Sequence, residues 1–256
     1  MICKKGRESL CQISNSKYQK IPLVGIRKVI ADRLTESYQQ KPHINIVMQI
    51  DMEPAINLRK KLLSEGVKSE RGRVSFNDII IKAVASSLEE FPLLNSLLVD
   101  GNIVISKDIN IGIAVDVEKG LMVPVIKQTN KKNLFEISKT SLTLIDKAKK
   151  GTLSINDVSD GTFTITNLGM YDVDFFTPII NSPQNAILAV GKIEKKPIVL
   201  GENVVIKPLV TFCLSVDHRA IDGALAAKFL QNLKNKIANL TKFVKSEGYP
   251  QTQLKN

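Results

Sequence analysis

Residues 209–223 read LVTFCLSVDHRAIDG and change character halfway along. The first eight residues are apolar or small, which is typical of a buried strand. The next seven contain three charged residues and a histidine and end in glycine, and an amphipathic helical pattern follows over residues 225–244. The stretch therefore predicts a strand, a short charged turn and a long helix. Such a turn can hold polar side chains rigidly and still leave them accessible to a substrate.

Local capping signals predict further helices. Ser75 with Asp78, and Asn133 with Glu136, have the spacing of a capping box at a helix start. Gly151 follows the second of these helical patterns and predicts its end. The other helical patterns run over residues 27–39 and from Pro54 to Gly66.

Strand patterns are mixed with these helices, without the regular alternation of a doubly wound parallel sheet. Residues 109–117 and 121–126 alternate with period two about a turn, which predicts one hairpin. We therefore predict the α/β class, as a two-layer sandwich of mixed β-sheet and helices. The remaining predicted strands cover residues 44–52, 162–166, 186–193, 204–206 and 209–216.

The composition is that of a globular protein, with 43% apolar residues in 256 and 36 Lys and Arg against 25 Asp and Glu. No apolar run is long enough to span a membrane and no signal peptide is recognisable, so we expect a soluble intracellular protein without a membrane partner. The formal charge of +11 suits an anionic ligand such as a phosphorylated cofactor. Because stacking aromatic residues are few and no aromatic-interleaved basic tract occurs, nucleic acid is not an expected partner.

Few residues can serve as a base or nucleophile near neutral pH, because the chain has two histidines and three cysteines. His43 is interpreted as a partly exposed or core-edge structural imidazole, and Cys213 as a buried, inert thiol. His218 lies in the charged turn and is the candidate base, although a salt-bridged turn with a capping Asp222 explains the same pattern. The cysteine spacing favours free thiols and predicts neither a disulfide framework nor a metal site. Cys3 and Cys11 are the other two cysteines.

Residues 217–223 resemble the Asp-His-Arg-x-x-Asp-Gly signature of the dihydrolipoamide acyltransferases, the core components of 2-oxoacid dehydrogenase multienzyme complexes, and of the related chloramphenicol acetyltransferases. Five further segments agree in family order, so the resemblance covers about residues 20–245. These segments are residues 27–31, 111–116, 120–126, 161–169 and 177–184.

The resemblance implies a chloramphenicol acetyltransferase-like fold, a homotrimer with sites between subunits, and an enzyme. Its reaction moves an acyl group, most commonly acetyl, between dihydrolipoamide and coenzyme A within a ternary complex. In this role His218 is the general base and Thr166, from a different subunit, stabilises the oxyanion. Asp222 is the third site residue of the motif, and it either takes part in the reaction or supports the turn. The segment Asn167, Leu168 and Gly169 is expected to shape the coenzyme A thiol channel.

Domain limits follow from the same resemblance. We expect a polar arm or linker over residues 1–20, a catalytic domain over residues 21–245 and a polar tail over residues 246–256. Lipoyl and subunit-binding domains usually precede such a core, and we expect both to be missing from this chain. A separate domain would then deliver the lipoyl group, and the missing domains would contact the decarboxylase and dihydrolipoamide dehydrogenase components.

The lysine of Asp146-Lys147-Ala148 imitates a lipoylation site, but it falls on a predicted helix, so that reading is rejected. The resemblance implies a trimer and a larger assembly. Many family cores end in a short apolar segment that joins trimers into a closed shell, but residues 248–256 are mostly polar, so a closed shell of that kind is not predicted. The expected location is cytoplasmic, or the mitochondrial matrix in a eukaryote. Two alternative functions stay open, a chloramphenicol-type O-acetyltransferase and a non-catalytic assembly scaffold. The presence of both His218 and Thr166 argues against the scaffold.

Overall fold

The computed structural model describes residues 19–64, 74–118 and 120–240. The predicted polar tail, Cys3 and Cys11, the predicted helix end at Gly66, and all but the last two residues of the predicted arm lie outside these ranges. Six α-helices occur in the described part of the chain: α1 (Gly25–Gln40), α2 (Glu53–Ser64), α3 (Phe76–Glu90), α4 (Leu134–Lys150), α5 (Ile155–Val158) and α6 (Gly223–Ala238). None of them combines the length and apolar character needed to cross a membrane.

Ten strands accompany these helices: β1 (His43–Asp51), β2 (Ser96–Val99), β3 (Asn102–Ile105), β4 (Ile111–Ile113), β5 (Val115–Val117), β6 (Gly120–Met122), β7 (Val125–Ile126), β8 (Phe163–Asn167), β9 (Ala186–Leu200) and β10 (Asn203–Asp217). The main sheet has the order β1-β10-β9-β8-β4-β7. Strand β8 runs parallel to β4 and β9, and the other pairs are antiparallel. The predicted mixed sheet is therefore confirmed.

Alternation along the strands gives this sheet two different faces. On β10, Val210, Phe212, Leu214 and Val216 belong to the hydrophobic core, which also contains Phe229 of α6. Helix α3 is enclosed by this core, since every residue from 78 to 88 is buried. The opposite face of the sheet carries small and polar side chains, which include Thr164, Thr166, Cys213, Ser215 and Asp217.

Two predicted strand arrangements were wrong. The single hairpin over residues 109–126 is divided, because β4 pairs with β7 in the main sheet while β5 and β6 form a separate ribbon. Pro124 lacks an N–H and interrupts the ladder between these pairs. Strands β9 and β10 are also longer than predicted and run through Pro197 and Pro208. Pro197 is tolerated because β8 pairs with β9 only up to Val190, which leaves Pro197 on an open edge. Pro208 lies at the end of the pairing with β1, directly before Leu209, and its carbonyl accepts from the N–H of Met52 at 2.8 Å.

Candidate active site

The charged turn after β10 is fixed by its own backbone. The carbonyl of Asp217 accepts hydrogen bonds from the N–H groups of Ala220 and Ile221, both at 3.0 Å. The N–H of Asp217 donates to Asn185 at 2.9 Å, and the N–H of His218 donates to the carbonyl of Pro42 at 3.0 Å. The predicted strand, turn and helix are confirmed here, with α6 beginning at Gly223.

A buried ion-pair network holds the same turn. Asp217 is fully buried and its carboxylate accepts from Arg219 Nη2 at 2.7 Å, Arg219 Nε at 3.0 Å and Lys41 Nζ at 3.2 Å. Burial alone would raise the pKa of Asp217, but the hydrogen bonds from Arg219 and Lys41 outweigh it and the pKa lies below its usual value. Asp217 is therefore ionised at neutral pH. The ion pair between Asp217 and Arg219 therefore holds the turn on either side of His218.

His218 combines a fixed backbone with an exposed side chain. Its only hydrogen bond within the described residues is the backbone contact to Pro42, and the residue is exposed. The imidazole is therefore available to a substrate thiol, as a general base must be.

Thr166 lies on β8, level with Ala189 of β9, and is half-buried. The chain that follows it is tightly held. Asn167 donates from Nδ2 to Asn77 at 2.6 Å and accepts from the N–H of Gly169 at 2.7 Å, and the N–H of Leu168 donates to Val190 at 3.1 Å. This network orients the backbone beside the Thr166 hydroxyl.

Gly169 is required for this close packing. A Cβ atom at Gly169 would lie 2.6 Å from the carbonyl oxygen of Gly191, and one at Gly191 would lie 1.9 Å from that of Asp174. The side chain of Asn167 is engaged within the chain by the two bonds described above. A role for Asn167, Leu168 and Gly169 in binding coenzyme A stays a prediction.

His218 and Thr166 are not brought together within one chain. The end of β10 pairs with Ala186, whereas Thr166 pairs with Ala189, and β9 separates the two strands. His218 lies two residues beyond Val216, so strand spacings of about 4.8 Å and rises of about 3.3 Å place its backbone roughly 19 Å from Thr166. The two side chains are too short to act on one reacting group across that distance.

Asp222 is the N-cap residue of α6 by position, but its side chain makes no cap hydrogen bond. The alternative in which its carboxylate caps the helix was therefore wrong, and only its backbone carbonyl contributes, accepting from Ala226 at 3.1 Å. No hydrogen bond or ion pair joins Asp222 to His218 within the described part of the chain. Its carboxylate is exposed beside the turn, and its catalytic role stays a prediction.

The structure confirms the interpretation of the other two candidates. His43 Nε2 accepts from the N–H of Ile180 at 3.1 Å, which assigns the proton to Nδ1, and Nδ1 donates to the carbonyl of Lys41 at 2.7 Å. Both ring nitrogens are thus occupied by the fold. Cys213 is a free thiol buried in β10, and burial raises its pKa, so it is a poor nucleophile.

The lipoylation-like lysine and the metal-binding residue types are the remaining candidates. Lys147 is rejected as a lipoyl site because it falls on a predicted helix, and it does lie on α4. Its ammonium group forms an ion pair with Asp157 at 3.1 Å. Residues 19–64, 74–118 and 120–240 contain no group of three or more His, Cys, Asp or Glu side chains arranged to hold a metal ion.

Sequence reasoning missed Lys41, although it forms an ion pair with Asp217 directly beside the candidate base. The only signal was an isolated lysine between a helical pattern and the Pro42-His43 step that starts a strand.

A sequence profile of the family 2-oxoacid dehydrogenases acyltransferase (catalytic domain) matches residues 15–244. The chain belongs to this family. Among relatives of this acyltransferase family, the dihydrolipoyllysine-residue acetyltransferase component of the Rickettsia prowazekii pyruvate dehydrogenase complex is 38% identical over 223 residues, which are 87% of this chain and 55% of that protein. The chain therefore spans about half the length of the curated relatives it matches.

Solved acyltransferase structures share the fold. A probable dihydrolipoamide acetyltransferase from Listeria monocytogenes has a TM-score of 0.83 and 36% identity, covering 88% of this chain and 96% of that one. The Azotobacter vinelandii dihydrolipoamide acetyltransferase, examined for the catalytic roles of a serine, a histidine and an asparagine, has a TM-score of 0.83 and 29% identity, covering 88% and 93%. A chloramphenicol acetyltransferase matches at 0.50 with 15% identity over 80% and 94%. The predicted chloramphenicol acetyltransferase-like fold is confirmed.

Proposed function

We propose that this chain is the catalytic core of a dihydrolipoamide acyltransferase, which transfers an acyl group between dihydrolipoamide and coenzyme A. The observation that carries the proposal is an exposed His218 on a rigid turn, within the motif of the acyltransferase family. The Azotobacter vinelandii enzyme supports it, because the histidine and the asparagine examined there are four residues apart, as are His218 and Asp222. Thr166 is the hydroxyl residue proposed for the role of the serine.

The proposed reaction needs no acyl-enzyme. The imidazole of His218 accepts the proton of the coenzyme A thiol, and the sulfur attacks the thioester carbonyl of acyl-dihydrolipoamide. The Thr166 hydroxyl donates to the oxyanion that forms. Collapse of this intermediate breaks the bond between carbon and the lipoyl sulfur, and the imidazolium returns its proton to that sulfur.

The large distance between His218 and Thr166 within one chain supports a site shared between subunits of a homotrimer. Helix α1 offers a surface for this association. Ser37 is its only buried residue, so most of the helix is uncovered in one chain. Ile21 and Val24 before and at its start are 80% and 66% exposed, and Ile26, Val29 and Tyr38 along the helix are also exposed. Exposed apolar patches of this kind mark protein interaction sites. Within one chain α1 has few buried contacts, and a trimer that buries α1 would supply the contacts that stabilise it.

A charge placed in this apolar surface tests the association. We expect Val29→Glu to lower the association constant at least about tenfold. Burial of an unpaired carboxylate in the interface costs more than about 1.4 kcal/mol of association free energy. Gln39→Glu is the matched control, because it adds the same charge to an exposed polar position of α1 and leaves the oligomer intact. Sedimentation equilibrium over a range of concentrations measures both. Equal association constants for the two variants would remove α1 from the interface.

The substrates of the complete enzyme also belong to this proposal. Coenzyme A would enter beside residues 167–169, and the acyl group would arrive on a lipoyl group carried by a separate domain. The decarboxylase and dihydrolipoamide dehydrogenase of a 2-oxoacid dehydrogenase complex are the expected partner enzymes. Acetyl is proposed as the acyl group because the Rickettsia prowazekii relative is an acetyltransferase.

A steady-state assay with acetyl-coenzyme A and free dihydrolipoamide tests the proposed reaction in reverse. We expect S-acetyl-dihydrolipoamide and coenzyme A to form with a turnover number of about 1–10³ s⁻¹. Chloramphenicol in place of dihydrolipoamide should not be acetylated. Transfer to chloramphenicol alone would establish an O-acetyltransferase, and no transfer to either acceptor by a correctly assembled protein would favour a scaffold. A panel of acyl-coenzyme A thioesters identifies the preferred acyl group.

A further inference from the structure

Lys41 is a buried lysine with no place in the proposed reaction. Its side chain is 4% exposed, and it lies between the end of α1 and the start of β1. Burial of an ammonium group costs several kcal/mol unless a partner compensates it. The compensating group is the fully buried carboxylate of Asp217, whose Oδ2 lies 3.2 Å from Lys41 Nζ. Asp217 directly precedes His218.

Asp217 already has a cationic partner in Arg219, so Lys41 is not needed to neutralise it. The side chain of Arg219 is 42% exposed, which leaves this ion pair open to solvent on its outer side. Lys41 binds the same carboxylate from the interior. Both cations thus contact Oδ2 of Asp217, and residues 217 and 219 flank His218.

The backbone around Lys41 is itself fixed. Its N–H donates to the carbonyl of Ser37 at 3.0 Å, and its carbonyl accepts from His43 Nδ1 at 2.7 Å. The next carbonyl, that of Pro42, accepts from the N–H of His218 at 3.0 Å. Residues 41 and 42 therefore hold the turn by two contacts, one to the Asp217 carboxylate and one to the backbone of His218.

We propose that Lys41 is a positioning residue, which orients His218 for proton transfer by anchoring the Asp217 carboxylate from inside the protein. This role rests on the proposed function of His218 as the general base. A small displacement of a catalytic group costs up to about 10²-fold in rate, so partial loss of one of two anchors should cost about tenfold.

Lys41→Met removes the ammonium group, keeps the apolar stem and leaves Asp217 paired with Arg219. We expect kcat for acetyl transfer to fall about tenfold, with KM for both substrates changed by less than about twofold. Lys41→Gln, which retains a neutral donor, should restore part of the loss. Lys147→Met is the matched control, because it breaks an ion pair to Asp157 at 3.1 Å on α4 and should leave kcat unchanged.

A double-mutant cycle shows whether Lys41 acts through Asp217. If it does, Lys41→Met adds little to the loss already caused by Asp217→Asn, whereas independent effects multiply. The double variant removes both buried charges, so it remains informative should the single variants fold poorly. A kcat for Lys41→Met equal to that of Lys147→Met, or multiplicative losses in the cycle, would overturn the proposal.

A spectroscopic measurement separates this inference from the proposed function. The chain has only two histidines, so the imidazole resonances of the histidine-labelled protein can be assigned to His218 and His43, and Lys147→Met provides the reference spectrum. Lys41→Met should shift or broaden the His218 resonance, whereas Lys147→Met should leave it in place, even if acyl transfer is not the reaction. An unchanged His218 resonance would refute the positioning role. A changed resonance in a protein without acyl transfer would refute the proposed function alone.

Discussion

His218→Ala should lower the turnover number for acyl transfer by about 10²–10⁴, the usual contribution of a general base. The reason is that a thiol with a pKa near 8.5 is mostly protonated at neutral pH and attacks a thioester slowly unless its proton is removed. The substitution should leave folding and assembly unchanged. His218 is exposed, and its hydrogen bond to Pro42 comes from the backbone N–H, which alanine retains.

Steady-state kinetics with acetyl-coenzyme A and dihydrolipoamide measure this change, with sedimentation and thermal unfolding as controls. The KM values should stay close to those of the unsubstituted protein, because the imidazole is proposed to act on the transition state. A variant that loses its assembly and keeps its specific activity per folded chain would reverse the assignment and make His218 a structural residue.

Thr166→Val should lower the turnover number by about 10²–10³, the usual effect of losing one oxyanion donor. Valine keeps the shape of the side chain and its strand preference, so β8 should remain paired with β9. Thr166→Ser keeps the hydroxyl and should retain most of the activity. A change confined to the KM for coenzyme A would instead place the Thr166 hydroxyl in substrate binding.

Thr164→Val provides a matched control two residues earlier on the same face of β8. The Thr164 hydroxyl donates to Gln184 Oε1 at 2.7 Å inside the chain. Its removal should lower the free energy of unfolding by about 1–3 kcal/mol, because Gln184 loses a buried partner, while kcat changes little.

Mixing the two inactive variants tests whether the site is shared. In a trimer that combines them, one interface joins an intact His218 to an intact Thr166 on the neighbouring chain. Random exchange of equal amounts makes about three quarters of the trimers mixed, with one intact site in three, so about a quarter of the activity should return. If subunits demonstrably exchange and no activity returns, each site must lie within a single chain.

Local signals predicted those parts of the fold that depend on neighbouring residues. Asn133 Oδ1 accepts from the N–H groups of Phe135 and Glu136, both at 3.0 Å, and Gly151 ends α4 with a φ of 68°. These features need only a side chain and the adjacent turn of backbone. The strand, turn and helix around His218 were predicted for the same reason.

Features that depend on distant parts of the chain could not be read from the sequence. Lys41 and Asp217 are 176 residues apart, and nothing in the local pattern of either indicates the other. The separation of His218 from Thr166 depends on the registers of β9 with β10 and with β8. The division of the predicted hairpin depends on which strand β4 and β5 each find as a partner. In each case tertiary pairing decides between arrangements that the sequence pattern allows.

The alternation of side chains along β8 links correct folding of the protein to its proposed chemistry. Phe163 and Ile165 face the helices while Thr164 and Thr166 face the other way, so a slip of one residue would exchange the two sets. A slipped strand would lose its packing and withdraw the hydroxyl at the same time. Natural selection against misfolded, aggregating chains thus also preserves the orientation of Thr166, without any selection on turnover.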